Sequence, residues 1–289
     1  MVNIHHFKNI AVNKIRVCAT RINLLINRSF MSAVTVFILI FIFGSCIGSF
    51  LNVCIYRIPD SRSIVKPRSM CPECNSLIRF YDNIPILSYL LLMGKCRRCG
   101  AKISARYPAI ELLTGILACA CFIKFGFSAE AIIYFCLMAA LVVISFIDID
   151  HKIVPDSISL PAIPIGLISS FVLPSIHFTE AFIGMLVGGG ILYFIAWSYQ
   201  FITGKEGMGG GDIKLLAMIG AFIGWKGVLV AIFIASATGA FVGFFLMLVA
   251  HKNMKYAVPF GPFLSMGAIV YIFKGSELIQ WYYPGLILN

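Results

Sequence analysis

The sequence predicts an all-α polytopic membrane protein of about eight transmembrane helices, with a small cytosolic loop domain that binds zinc. Three observations predict it. The 289 residues are 60% hydrophobic and 12% charged, with a mean hydropathy of +0.94; a soluble domain is about a quarter charged. Long stretches lack Asp, Glu, Lys and Arg altogether: between Arg28 and Arg57, Asp156 and Glu180, Glu180 and Lys205, and Lys226 and Lys252. Each gap holds the roughly 20 apolar residues of a spanning helix. Finally, four cysteines stand in two C-x2-C pairs within one long, polar, basic stretch.

Taken in order, residues 1–30 form a basic N-terminal extension with five Lys/Arg and no acid. It reads as a basic amphipathic helix lying on the membrane, or as a matter of start-codon choice. A chain starting at Met31 rather than Met1 opens "MSAVTVFILIFIFGSC", an ordinary first helix. No small-residue cleavage site marks a removable signal peptide. Residues 31–56 are the first transmembrane helix.

Residues 57–107 are the loop. Arg57 to Arg106 holds ten Lys/Arg against three acids. Basic loops stay in the cytosol, and nothing resembling an aromatic-interleaved nucleic-acid face accompanies the charge. Residues 108–289 carry the remaining helices. Shorter apolar runs at Leu112–Ile123, Ala131–Ile147, Ile213–Trp225 and Val258–Phe273 span if polar helix ends are allowed. The inside loops then carry Lys152, Lys205, Lys252 and Lys255; the outside loops, near 126–129, 174–179 and 225–227, carry Lys226 alone. The basic extension is the one segment that contradicts this orientation.

Of ten cysteines, Cys18, Cys46, Cys54, Cys119, Cys121 and Cys136 are scattered, mostly in or beside apolar helices, where free cysteine is an ordinary small hydrophobe. The other four differ. "MCPECN" supplies Cys71 and Cys74, and "KCRRCG" supplies Cys96 and Cys99, with 21 residues between the pairs. Two such knuckles make a tetrahedral thiolate site for Zn²⁺. Disulfides are the alternative, but the cytosol is reducing. Four protein ligands leave no position for water, so the site reads as structural.

Few acids lie at the ends of apolar helices. "FIDIDHKIVPD" supplies Asp148, Asp150 and Asp156; "GGGDIK" supplies Asp212. Asp148 ends one helix and Asp212 begins another at the same membrane depth. Asp148 and Asp150 are about 200° apart around a helix, so only one faces a common site. Asp148 lies closer to the apolar run and is the inward candidate. Asp150 and His151 read as solvated loop, and Asp156 as a cap following Pro155. Asp212 is either a helix cap or a functional group; paired with Asp148, the functional reading is favoured because intramembrane carboxylates are functional by default. Two carboxylates at low dielectric can share a proton, one acting as base on water and the other as acid on a carbonyl oxygen. The glycines before Asp212 read as an unwound helix entry that lets a backbone come close.

Other polar residues stay open between roles. Asn52 and Arg57 end the first helix; Asn52 needs a partner if buried, and Arg57 is either a snorkelling anchor or a site residue. Glu111 faces the interface or the bundle. Lys214 pairs with lipid phosphate or with a carboxylate. A transporter binding ions at Asp148 and Asp212 is a competing reading. It predicts polar groups inside several helices and internal repeats, and neither is evident.

These motifs together resemble the type IV prepilin peptidases, bifunctional leader peptidase/N-methyltransferases of pilus and type II secretion systems. The resemblance runs from about Phe43 to Gly267. It is carried by "GSCIGSFLNVCIYRIP" (Gly44–Pro59), by Arg68–Gly115 around the four cysteines, by "IDIDHKIVPD" and by "GGGD". It implies that Asp148, seven residues before Pro155, and Asp212 are the catalytic pair. It also implies a bacterial inner-membrane location, cleavage of type IV prepilins or pseudopilins at the cytosolic face, and methylation of the new N-terminus by S-adenosylmethionine. No Rossmann-type glycine fingerprint marks a donor site; Gly94 and Lys95, in the basic loop, are the candidates. A leader peptidase without methyltransferase activity remains the alternative.

Overall fold

The computed structural model describes residues 34–205, 209–250 and 258–282. The N-terminal extension, both candidate start methionines, Met208, Lys252 and Lys255 lie outside the described residues. The chain is helical: α1 (Val34–Arg57), α2 (Leu87–Leu91), α3 (Arg106–Phe125), α4 (Ala129–His151), α5 (Asp156–Ser169), α6 (Phe178–Thr203), α7 (Gly210–Ala250) and α8 (Gly261–Tyr282). Among the described residues there is no named strand, only two isolated bridges within the cysteine loop.

Among the described residues, five helices (α1, α3, α4, α6 and α7) are long and apolar enough to cross a membrane. The expected count of eight is not reproduced on that measure: α5 is too short, α8 is less apolar, and α7, which holds two of the expected spans, counts once. α5 has 14 residues, about 21 Å of helix against a hydrocarbon core of roughly 30 Å. α8 carries Lys274 and Glu277 near its end.

α7 holds a second surprise. Its 41 residues include one non-helical residue, Gly224, at φ 71° and ψ 176°. A Cβ placed on Gly220 would lie 2.9 Å from Cγ2 of Val228, eight residues later; a straight helix separates such residues by about 12 Å. The chain therefore doubles back at Gly224, and α7 is two arms. The turn expected near 225–227 is this single glycine, whose left-handed φ is open to a residue without Cβ.

Packing follows from small residues and apolar stripes. Gly44 and Gly48 of α1 face Ala118 and Glu111 of α3 so closely that any Cβ there would clash, at 2.6 and 2.7 Å, the small-xxx-small contact of membrane helices. Gly184 of α6 meets Gly220, and Gly188 meets Leu216, so α6 runs antiparallel to the first arm of α7. Only Ala181, Gly184, Gly188 and Leu192 of α6 are buried. That is one stripe at helical spacing, and the outward face, with Phe194, Trp197, Phe201 and Ile202, suits lipid. The core is formed by Met138, Leu141, Ile144 and Ile147 of α4 against Leu215, Leu216, Met218 and Ile219 of α7 and Leu264 and Ala268 of α8, all fully buried.

The polar groups collect at two ends. At the far end Ser128 caps α4 by accepting from the Ala131 N–H at 3.1 Å, and Lys226 lies 3.8 Å from Glu180. At the other end stand the cysteine loop, the close of α4, and the starts of α5, α7 and α8. This end holds the candidate site.

Candidate active site and metal centre

The cysteine loop is built from two matching knuckles. In the first, the Asn75 N–H donates to the Cys71 carbonyl at 2.9 Å and Met70 bridges Leu77; in the second, Gly100 donates to Cys96 at 2.9 Å and Lys95 bridges Lys102. Asn75 and Gly100 occupy equivalent left-handed positions, φ 53° and 72°, which Gly and Asn tolerate best. The four Sγ atoms of Cys71, Cys74, Cys96 and Cys99 lie within 4.8 Å of one another, and Cys71 and Cys99 are 3.8 Å apart. Four sulfurs about 2.3 Å from one tetrahedral ion would be about 3.8 Å apart, so the residues fit a metal ion. The Ser76 hydroxyl and backbone pull the Cys74 thiol down to about 6, and the backbone N–H groups of Cys99 and Arg98 lower Cys96. Both shifts favour the thiolate, the form that binds metal; at Cys99 the Ala101 backbone pulls the same way, but desolvation and the three neighbouring thiols outweigh it and push that thiol up to about 12. Arg97 grips Asp82 through Nε and Nη2, at 2.9 and 2.6 Å, tying the turn Phe80–Asn83 to the second knuckle. Arg97 thereby holds the Asp82 carboxyl below its ordinary range.

Gly94 and Lys95 sit on the turn that enters the second knuckle. Gly94 has φ +67°, and an added Cβ would lie 3.0 Å from the Tyr89 hydroxyl. Its identity is thus explained by the backbone, whatever else it does. Lys95 is exposed.

Polar side chains of α1 and α3 fasten this loop to the bundle. Buried Arg57 donates to the carbonyls of Ser63 and Pro67 at 2.9 and 2.8 Å, so it is a clamp on the chain leaving α1. Asn52, also buried, finds its partner in the Tyr107 carbonyl at 3.1 Å. Glu111 faces inward: its Oε2 accepts from the Ile86 N–H at 2.7 Å, where α2 begins.

Asp148 and Asp212 come together as expected. Asp148 lies in the last turn of α4, buried, and Asp212 lies in the first turn of α7, half-buried. They are close enough for the charge of Asp148 to act on Asp212. Two details differ from expectation. α7 begins at Gly210, so Gly210 and Gly211 are helical and only Gly209 precedes the helix. The glycines are used for approach: a Cβ on Gly211 would lie 2.9 Å from the Val154 Cβ, so the α4–α5 connection packs directly on the start of α7. Asp156 is not the cap of α5. The N-cap position is Pro155, and Asp156 binds Lys214 Nζ through both oxygens at 2.8 Å, which settles the partner of Lys214.

Asp150 is not loop either. It belongs to the last turn of α4 and pairs with Arg106 at 2.6 Å, while Arg106 also donates to the Phe146 carbonyl at 3.0 Å and stacks over the Phe146 ring at 4.6 Å. Arg106 therefore ties the start of α3 to the end of α4 that carries Asp148. One residue that sequence reasoning did not single out stands against Asp148. The Gly261 N–H, at the start of α8, donates to Asp148 Oδ2 at 2.9 Å. The only hint is "PFGP" opening an apolar run.

Comparison with known proteins decides the family. Residues 42–125 match the bacterial peptidase A24 N-terminal domain, and residues 135–244 match the type IV leader peptidase family. The chain is 37% identical over 270 residues to a prepilin leader peptidase/N-methyltransferase of Aeromonas hydrophila, covering 85% of this chain and 93% of that one. The chain belongs to the type IV leader peptidase family. A protein of the same name from Pseudomonas aeruginosa is 34% identical over 262 residues, 83% of this chain and 90% of its own length. Another from Myxococcus xanthus is 42% identical over 214 residues, 73% and 63%. No solved structure matches the chain. The family's two matched segments fall on the two parts of the site: the cysteine loop lies in the first, and both aspartates lie in the second.

Proposed function

We propose that this leader-peptidase family member cleaves the leader from type IV prepilins or pseudopilins with Asp148 and Asp212, and methylates the new N-terminus. One observation supports it above the others: the two helix-end carboxylates, sixty-four residues apart in sequence, meet at one end of the bundle. The names of its relatives supply the substrate class.

In this reading one carboxylate takes a proton from water, whose oxygen attacks the scissile carbonyl carbon. The other gives its proton to the carbonyl oxygen. When the tetrahedral species collapses, the C–N bond breaks and the leaving amine receives the proton held by the first carboxylate. The peptide must be extended at this point, because a helical carbonyl is shielded by its own hydrogen bond. The ends of α4 and α7 lie at the level of the basic loop. This reading puts the reaction at the cytosolic face of the bacterial inner membrane, and the positive-inside rule, applied to that basic loop, supports it.

The four thiolates would hold Zn²⁺, which fixes the loop and supplies no chemistry to the cleavage. S-adenosylmethionine is the methyl donor in this reading; when bound it offers an electrophilic methyl group. Lys95, exposed on the basic loop, is the residue offered to its carboxylate, and Gly94 shapes the turn that presents Lys95.

The test uses purified protein and a prepilin bearing its leader. Asp148→Asn and Asp212→Asn are each expected to abolish cleavage while bound zinc stays at one per chain. Wild-type cleavage by either variant overturns the assignment. Labelled S-adenosylmethionine is expected to mark the mature product; an unlabelled product leaves a peptidase alone.

A further inference from the structure

We infer that Gly261 is a positioning residue for peptide cleavage, its backbone N–H holding Asp148 as the water-activating base of the pair. The inference rests on the reading of Asp148 and Asp212 as the catalytic dyad.

The two carboxylates are not equivalent. Asp148 Oδ2 accepts from the Gly261 N–H at 2.9 Å, inside the bundle. No hydrogen bond to the Asp212 carboxylate is found among the described residues. An N–H donated to a carboxylate favours its ionised form, and this donor faces Asp148. Oδ2 is fixed, and Oδ1 is the oxygen left to receive a proton from water. The shared proton then resides on Asp212, which becomes the acid.

The contact is built for this residue type. A Cβ on Gly261 would lie 2.7 Å from Asp148 Oδ2 and 3.3 Å from its Cγ. No side chain fits there without moving the carboxylate. Gly261 is the first residue of α8, and its N–H is one of the helix's orphan donors, free of any intrahelical acceptor. The positive end of α8 thus faces the anionic form of Asp148. Pro262 follows, with the fixed φ that suits a first turn, so the N–H is aimed by a rigid element. The other flank of α4 is held by Arg106 through Asp150 and Phe146. Asp148 is braced from two helices, and Asp212 is left free to exchange its proton with substrate.

The test is Gly261→Ala in the full-length protein, with cleavage rates expressed per folded molecule. Displacing the carboxylate by about 1 Å costs on the order of 10²-fold in rate. The expected result is that loss in kcat with KM unchanged, and undiminished methyl transfer to pilin that has already been cleaved. Gly267→Ala is the comparison: its Cβ would lie 2.6 Å from the Ala231 carbonyl, far along α8 from Asp148. It should lower thermal stability, with both activities falling together. If Gly261→Ala behaves like Gly267→Ala, or keeps wild-type kcat, the inference is overturned. Pro262→Gly adds no atoms and loosens the turn that aims the N–H. It is expected to cut kcat about tenfold even if Gly261→Ala fails to fold, by weakening one preorganised hydrogen bond; unchanged kcat overturns the inference again. Cleavage by Asp148→Asn would instead sink the dyad reading itself, so the two failures are distinct.

Discussion

Replacing Gly211 by alanine separates two physical effects of opposite sign. Alanine in place of a helical glycine ordinarily stabilises by about 0.5–1 kcal/mol, through lost backbone entropy of the unfolded chain. Here the new Cβ would stand 2.9 Å from the Val154 Cβ and 3.2 Å from its Cγ2. Carbon atoms rest at about 3.5–4.0 Å, so the contact must open by about 0.6–1 Å. Val154 cannot yield freely, because it stands between Lys152 in a left-handed conformation and Pro155. Overpacking of this kind costs about 1–3 kcal/mol. The net is a destabilisation of about 0–2.5 kcal/mol, and a dyad spread by up to an ångström, since Asp212 is the next residue. Gly210→Ala is the matched control, as nothing lies within 4 Å of its Cβ position; there the entropy effect stands alone and the thermal transition should rise. The assay is thermal unfolding of both variants in detergent, with kcat for prepilin cleavage by Gly211→Ala. A Gly211→Ala protein that melts at or above wild type, with unreduced kcat, would refute the packing argument.

Further outcomes follow from the same structure. Cys71→Ser or Cys96→Ser should remove the zinc, read as metal per chain by elemental analysis; retention of a full equivalent counts against the four-thiolate site. Zinc affinity should weaken on acidification. The lowered Cys74 thiol is thiolate above about pH 6 and protonated below. Its contribution is therefore present at neutral pH and lost as pH falls through that value, and a competition titration that is flat between about pH 8 and about pH 5 contradicts this. Arg106→Ala loses a charged hydrogen bond, an ion pair and a ring contact together. It should destabilise by about 2–3 kcal/mol, and Arg106→Lys should rescue little because it lacks the planar fork; full rescue by lysine is the contrary result. Lys214→Met breaks a pair with both side chains substantially exposed, 39% and 56%. It should change stability by less than about 1 kcal/mol, and a large drop in the melting temperature would show that the pair is more than a surface contact.

What was legible in the sequence was what side chains announce. Charge-free runs located the helices, because a charge in lipid is costly at every position along them. The cysteine spacing located the four-cysteine cluster, because each knuckle is a local structure of eight residues. Helical phase let only one of Asp148 and Asp150 face the bundle, and nearness to the apolar run picked Asp148, which is the buried one. The hidden features depend on backbone or on tertiary distance. Gly224 reverses α7 with a single positive φ, and an isolated glycine in an apolar run has several other uses. Gly261 acts through an N–H that every residue but proline possesses. Arg106 and Asp150 lie 44 residues apart, and no periodicity links them.

Beside the ion pairs, five side chains at the site end share a pattern that explains this. Asn52 binds the Tyr107 carbonyl, Arg57 the carbonyls of Ser63 and Pro67, Glu111 the Ile86 N–H, Arg106 the Phe146 carbonyl, and Asp148 the Gly261 N–H. In each case a polar side chain on a helix is satisfied by main chain from elsewhere. Burial makes such partners obligatory, since an orphaned polar group costs about 1–3 kcal/mol. Yet a main-chain partner places almost no demand on the identity of the residue that supplies it. The informative half of four of these contacts, Asn52, Arg57, Glu111 or Asp148, is therefore visible as a polar residue in or at the end of an apolar run, and the other half is silent. The site is held by the path of the backbone. A shift in the length of the segments 58–67 or 84–86 disturbs it more than most changes of side chain within them.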